Sequence, residues 1–308
     1  MKKAKSNKNL IDLDVKESKG KTPKHFTFVE KEIFNDNDDF MELTPETTQI
    51  DEFSKHIMAM MKRNEPLFLQ ELQQPRFTLC PQYRTILVNW LIIVHNDFHF
   101  QEQTLYNGVS LFDRFSAIAN IPKSKIQLFG ATSLWIASKL EETVTPAIED
   151  FEYICGNAYR KQQILDCERI ICKSLNFMLY SHTPQTFYEG IAKKANLDPD
   201  LQDYFTFFLN CAILLPQYST LKPSLVASSC ILLSSLAKNS PCMFYDSNPE
   251  LHSILRSDII DLACSILPLV VSQSENQESG IYEKFQEIIE RGIKFDQHFK
   301  EMLRESHF

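Results

Sequence analysis

The chain has 308 residues, enough for two compact units, and only seven glycines, about a third of the share in an average globular protein. With so little material for tight turns and bulges, and with Leu, Ile, Phe, Lys and Glu in abundance, the composition points to an all-α protein. A formal charge of -8 excludes an overall basic footprint for nucleic acid, whose phosphates need a positive face.

The eight cysteines, at 80, 155, 167, 172, 211, 230, 242 and 264, form no CxxC pair and mostly sit in apolar runs, as small core residues of a reducing compartment do. The opening "MKKAKSNKNLIDLDVKESKGKTPKHF" has lysines but no apolar run behind them, and no stretch reaches about 18 apolar residues. The expectation is a soluble intracellular chain with no membrane partner.

Residues 1–48 read as a polar arm, lysine-rich and then acidic ("FNDNDDFMELTPETTQ"), and disorder is expected there. Its Thr22-Pro23 and Thr44-Pro45 have the form of proline-directed phosphorylation sites, a form that chance also produces. From Glu52 the spacing turns helical: "EFSKHIMAMMKRNE" sets Phe53, Ile57, Met60 and Met61 on one side of a leading amphipathic helix. Five helices follow in "YRTILVNWLIIVHNDF", "QTLYNGVSLFDRFSAI", "PKSKIQLFGATSLWIASKL", "AIEDFEYIC" and "RKQQILDCERIICKSLNF", with Pro122 placed as a helix opener. After the break "YSHTPQ" the plan repeats in "PQTFYEGIAKKA", "DLQDYFTFFLNCAILLP", "KPSLVASSCILLSSLAK", a short element near "PELHSIL", and "SDIIDLACSILPLVV". A closing helix is predicted in "GIYEKFQEIIERGIKF". The units so defined are 49–181 with the leading helix, 182–295, and a tail over 296–308.

A shift of 96 residues lays "LVASSCILLSSL" beneath "FGATSLWIASKL", matching small-residue positions and apolar phase. In the first copy two charges break the pattern. Lys139 falls on a helical wheel beside Leu128, Thr132 and Trp135, and Glu168 falls between Ile164, Ile171 and Leu175. The second copy carries Ser235 and Cys264 at these positions, so the repeat does not need charge there. Two readings stay open. Lys139 snorkels at a helix end while Glu168 pairs with Arg169 or Lys173, or both charges belong to a docking surface met by another polypeptide.

"YRTILVNWL", "LFDRF", "KIQLFGATSLWIASKLEE" and "ILDCERIICKSLNF" resemble, in order and spacing, the cyclin box of the mitotic A/B-type cyclins. "LQELQQPRFT" resembles the segment before that box and "LKPSLVASS" the matching helix of the second, so the likeness covers about residues 50–295. It implies an all-α fold of two tandem five-helix cyclin boxes with a leading N-terminal helix and a C-terminal helix. It also implies a regulatory subunit of a cyclin-dependent Ser/Thr kinase, acting in mitosis, in nucleus and cytoplasm, without catalysis, cofactor or metal of its own. The partners implied are the kinase catalytic subunit and proteins, substrates or inhibitors, that carry short linear motifs.

By the same resemblance the kinase is held by Lys139 and Glu168 with Leu140, Glu142, Cys172, Phe177 and Leu179, and basic-x-leucine motifs dock in a groove of Tyr83, Ile86, Leu87, Trp90 and Gln127. Ile93 stands where the family has an acidic residue and Tyr83 where it has methionine, two departures that leave open whether the groove prefers a positive charge. The family's buried ion pair is matched by Arg84 and Asp113. "RFTL" at 76–79 fits a bare RxxL degradation signal but adjoins the first box instead of lying in the arm.

Rival readings have thinner support. Asp36, Asp38 and Asp39 lie in the arm without helical phase, and a solvated acidic tract explains them better than a magnesium cluster. His95 and His99 have metal-ligand spacing but lack the zincin glutamate, and a surface pair is the expectation. No Walker loop, GxGxxG or nucleophile elbow occurs. Transcription-type cyclins and TFIIB-like factors share the implied fold, and the negative charge argues against the DNA-binding version.

Overall fold

The computed structural model describes residues 47–73, 75–77, 79–240, 243–291 and 297–305. The acidic run of the arm and both Thr-Pro dipeptides lie outside the described residues. Among the described residues every regular element is a helix. The leading helix α1 (Thr47–Gln73) precedes α2 (Pro81–Phe98), α3 (Glu102–Ile118), α4 (Ile126–Glu141), α5 (Ile148–Ile154) and α6 (Lys161–Ser174). The second unit holds α7 (Pro184–Ala195), α8 (Leu201–Ala212), α9 (Pro223–Ala237) and α10 (Arg256–Glu275), and its predicted short element is a 3-10 turn, Pro249–Ser253. Three short helices close the chain: α11 (Gly280–Lys284), α12 (Gln286–Glu290) and α13 (Gln297–Glu305).

The helix boundaries follow local chemistry. Pro81, Pro184 and Pro223 open α2, α7 and α9, where the missing N–H leaves nothing unsatisfied. Thr183 caps α7 by accepting from the Thr186 N–H, and His99 and Asn196 end α2 and α7 in left-handed conformation. Pro122 lies one turn earlier than expected, before a 3-10 turn (Lys123–Lys125) that leads into α4.

The most apolar helix of each repeat is central: α4 packs against α2, α3 and α6, and α9 against α7, α8 and α10. Gly108 permits the closest α3–α4 approach, since a Cβ there would meet Leu134 Cα at 3.1 Å. The eighteen-residue apolar limit is met after all by α10, long and apolar enough by length and composition to cross a membrane. Its Ile259, Leu262, Ala263, Ile266, Leu267 and Val270 are buried, and it packs on α8 and α9 as a core helix.

Three expectations are corrected. The leading helix is 27 residues long and buries Met58, Met61, Glu65, Leu69 and Leu72, while Ile57 and Met60 are 39% and 51% exposed. Its face is set by contacts with both units, a constraint absent from the local apolar phase; the Phe53 side chain lies outside the described residues. The closing helix is broken at Phe285, which leaves helical geometry and buries its ring 5.5 Å from that of Phe207. The segment read as a tail forms α13, whose Phe299 and Leu303 are buried where it packs on α9 and α10.

Two buried ionic contacts join the units. Arg84 on α2 makes a bidentate pair with Asp113 on α3, 2.8 Å on each arm. Its remaining donor reaches the carbonyls of Ile213 (2.8 Å) and Leu215 (3.3 Å) past the end of α8, and its guanidinium lies 5.5 Å from the Tyr218 ring centre. Burial works against the Arg84 charge, and Asp113 more than offsets it, so the guanidinium is held above its ordinary pKa. Glu65, 2% exposed, accepts from the Ser224 N–H (2.7 Å) and hydroxyl (3.0 Å), and Lys62 donates to it at 3.0 Å. A carboxylate of the leading helix thus caps the N-terminus of α9, the end that favours negative charge.

Asp113→Asn should lower unfolding free energy by about 3–5 kcal/mol in urea, because it leaves Arg84 buried without a counter-charge. Replacing Arg84 by Met together with Asp113 by Leu should recover much of that loss. Glu65→Ala should cost about 1–3 kcal/mol and raise hydrogen exchange in α1 before any other helix.

Candidate functional site

At the C-terminal end of α4, Lys139 and Glu168 are paired with each other across the α4–α6 contact, and the Lys139 ammonium lies 3.7 Å from the Trp135 ring centre. Their side chains are 33% and 23% exposed. In the free chain each of the two charges is met by the other. Arg169 is not the counter-charge of Glu168, since it pairs with Asp166 at 2.8 Å.

Several large apolar side chains near the ends of these helices are open to solvent. Leu140 follows Lys139 and is 48% exposed; on and after α6, Ile170, Phe177, Met178 and Tyr180 are exposed as well. Phe177 stands out at 68% exposed with φ of 59°, a left-handed conformation that costs a bulky L-residue about 1–3 kcal/mol. The conformation is held by the Phe177 N–H donating to the Cys172 carbonyl (2.8 Å) and by Arg114 donating to the Met178 carbonyl (2.8 Å). A large apolar ring kept in water on strained backbone is a feature that folding does not supply unaided.

The other residues expected on this face divide. Cys172 is buried, its thiol pushed up by burial and then by Glu168, and it serves as floor. Leu179 is half-buried against the core. Glu142 is committed inside the chain: its Oε1 accepts from the Gln101 N–H (2.8 Å) and the Thr104 hydroxyl, capping α3. Trp135 stands beside Lys139 as the helical wheel placed it, whereas Ile170, Met178 and Tyr180 were not singled out from sequence, because their exposure depends on how the chain packs around α6.

On the α2–α4 side, Tyr83, Ile86 and Trp90 are half-buried, and Leu87 and Gln127 form a buried floor. Gly130 allows this packing, since a Cβ there would come within 2.5 Å of Leu87 Cδ1. The Lys123 ammonium sits 4.9 Å from the Tyr83 ring centre at one end. At the other end Ile93 is covered by α11: a Cβ on Gly280 would fall 2.8 Å from Ile93 Cγ1, and Asn96 donates to the Gly280 carbonyl at 2.9 Å. The isoleucine is thus part of an internal contact.

Among the described residues no three His, Cys, Asp or Glu are placed to hold a metal ion. His95 is buried, correcting the surface-pair reading. Its Nε2 lies 3.1 Å from the Gln101 carbonyl, and burial holds the ring below its ordinary pKa. His99 ends α2 with its side chain exposed. Burial raises the Cys155 and Cys167 thiols to about 12, so these are inert core residues, while Cys80 is exposed.

Residues 39–180 match the family model "Cyclin, N-terminal domain" and residues 182–298 match "Cyclin, C-terminal domain". The chain belongs to the cyclin family. Within it, the relatives are named as B-type cyclins. "Cyclin-B2-1" of Oryza sativa subsp. japonica is 32% identical over 204 residues, 66% of this chain and 48% of that protein. "G2/mitotic-specific cyclin-B3" of Gallus gallus is 29% identical over 264 residues, 80% of this chain and 66% of that one, and "G2/mitotic-specific cyclin-B" of Arbacia punctulata is 36% identical over 190 residues, 59% and 46%. The chain spans about half the length of most of these curated relatives. Among solved structures, a viral cyclin from herpesvirus saimiri aligns with a TM-score of 0.59 at 18% identity, over 72% of this chain and 99% of that one. A chain of the yeast RNA Pol II CTD kinase CTDK-1 complex aligns with a TM-score of 0.55 at 12% identity, over 78% and 82%. At these identities the structural likenesses show the shared fold.

Gly130→Ala should displace Leu87 and cost about 1–3 kcal/mol in thermal or urea unfolding, with the Trp90 fluorescence maximum moving as the floor shifts.

Proposed function

We propose that this chain is the regulatory subunit of a cyclin-dependent kinase, acting in mitotic cell-cycle control in nucleus and cytoplasm, and that it contributes no catalytic group itself. The observation that carries the reading is an exposed apolar rim at the ends of the two helices that bear the Lys139–Glu168 pair, Leu140 next to Lys139 and Phe177, Met178 and Tyr180 just past α6, with Phe177 held in water on left-handed backbone. The names of the relatives support it, since every relative compared above is a B-type cyclin.

The mechanism proposed is allosteric. Burying the rim against the kinase's C-helix region supplies binding energy that the isolated kinase lacks, which holds that helix inward. Its Lys–Glu pair and magnesium site then assemble, and the activation segment opens. The Lys139–Glu168 pair gives the greasy face a polar centre that fixes register, its partial exposure leaving donors and acceptors for a partner's backbone. In this reading Glu142 acts through α3 more than by touching the kinase. The α2–α4 groove is proposed to recruit proteins through short apolar motifs, without the acidic anchor that Ile93 replaces. The fold shared with a chain of the CTD kinase complex keeps a transcription-type cyclin as the second reading.

Lys139→Ala combined with Glu168→Ala removes the pair without stranding either charge. With the full chain and a cyclin-dependent kinase that co-purifies with it, binding should weaken by about tenfold or more while helicity by circular dichroism is unchanged. Histone phosphorylation by the complex should fall in parallel. Unaltered kinase affinity would overturn the assignment.

A further inference from the structure

The short helix α11 lies against α2 and covers Ile93, and it is tied to the first unit at both of its ends. At its first residue the Gly280 carbonyl accepts from Asn96 on α2 at 2.9 Å, and at its last Lys284 is paired with Glu102 on α3. His95 adjoins both ties. It precedes Asn96 in the chain, and its Nε2 lies 3.1 Å from the carbonyl of Gln101, the residue before Glu102. It is 2% exposed, and the edge of the Phe100 ring packs on it.

A carbonyl only accepts, so the neutral ring carries its proton on Nε2, and a second proton would go to Nδ1, 3.3 Å from Asn96 Oδ1. Two charges face the ring, Lys284 from α11 and Glu102 from α3, and Glu102 also accepts from the Tyr106 hydroxyl at 3.2 Å. Burial and the Lys284 ammonium oppose a charged ring, while Glu102, Asn96 and the Gln101 carbonyl favour it; the opposition prevails and holds His95 below its ordinary pKa. Lys284 is itself pushed down by burial and supported only by Glu102. One carboxylate therefore answers one cation here, and a protonated His95 would be a second cation enclosed with it.

Releasing α11 takes Lys284 away and lets water reach the face of α2 that it packs on, so the ring accepts a proton more readily with α11 off. We propose that His95 is a proton-gated latch: neutral, it leaves α11 docked; protonated, it drives α11 off α2, uncovering Ile93 and opening that end of the α2–α4 groove. Above the ordinary histidine value of 6.5 the ring is neutral in both states and docking is at full strength. As pH falls from there to the lower value of the docked ring, the released state takes up the proton first, and docking weakens by at most about tenfold per pH unit. Asp97 on α2 works in the opposite direction. Partial burial and Glu283 on α11 raise its carboxyl, with His99 pulling it down, and protonating it relieves the repulsion from Glu283 and tightens α11.

Hydrogen exchange on the full chain tests the latch. The Glu283 and Phe285 N–H groups donate to the Ser279 and Ile281 carbonyls, so their protection factors, corrected for intrinsic exchange, report on α11. From about pH 7.5 to about pH 5 these factors should fall by up to about tenfold per pH unit while those of α9 hold. His95→Gln keeps an N–H for the Gln101 carbonyl and cannot titrate, so it should flatten the fall; Asp97→Asn should preserve or steepen it. Protection at Glu283 and Phe285 that is flat with pH, that falls only in step with α9, or that falls equally in His95→Gln overturns the latch. Should His95→Gln not fold, the NMR titration of the His95 ring in the wild-type chain decides. A midpoint below 6.5, with protection of α11 already falling above that midpoint, supports the latch, and a midpoint at or above 6.5 overturns it.

Discussion

The architecture depends on Arg84. Its guanidinium is buried between Asp113 in the first unit and two backbone carbonyls of the second, so one side chain satisfies an ion pair within a domain and the carbonyls that end a helix in the next. Such a contact is strong only when all its donors are matched, because any unmatched one forfeits hydration without return. That requirement sets the two repeats against each other in one orientation. The leading helix adds a second tie, with Glu65 lying over the start of α9. The faces of the first unit are thereby held rigid, a precondition for a surface that biases a partner's conformation through binding alone.

On the docking face the division of labour differs from what two isolated charges suggest. Lys139 and Glu168 neutralise one another and the Lys139 ammonium also lies over the Trp135 ring, which lowers the cost of keeping the pair in an apolar surround. The apolar area that folding has left in water there belongs to Leu140, Phe177 and their neighbours. Phe177 makes the point most directly. Left-handed backbone is unfavourable for it and exposure of its ring is unfavourable too, so its position costs the free chain stability.

The groove between α2 and α4 is shaped by absences. Gly130 lets Leu87 sink until it forms a floor, and Gly280 lets the C-terminal helices close over Ile93. An acidic side chain at position 93, half-buried against α11, would lose part of its hydration there, which gives the isoleucine a structural reason independent of ligand preference. The α2–α4 groove and the C-terminal helices are therefore coupled by packing.

Periodicity along the chain was enough to reveal the all-α class, the tandem repeat, the five helices of the first unit and the interruption of two apolar stripes by Lys139 and Glu168, since these are properties of spacing within one helix. The family likeness supplied Arg84 and Asp113 as a pair. Tertiary structure alone decided which face of α1 is buried, that Phe285 breaks the closing helix, that residues 297–305 form a helix, and that Glu142 caps α3. It also decided that Lys139 and Glu168 answer each other, and that Asn107 on α3 donates to Glu141 at the acidic end of α4. The reason is one of range: helix phase is encoded by neighbours three and four residues apart, whereas pairing, capping between helices and the choice of buried face depend on residues from 29 to 159 positions away, whose approach is set only once the whole chain has packed.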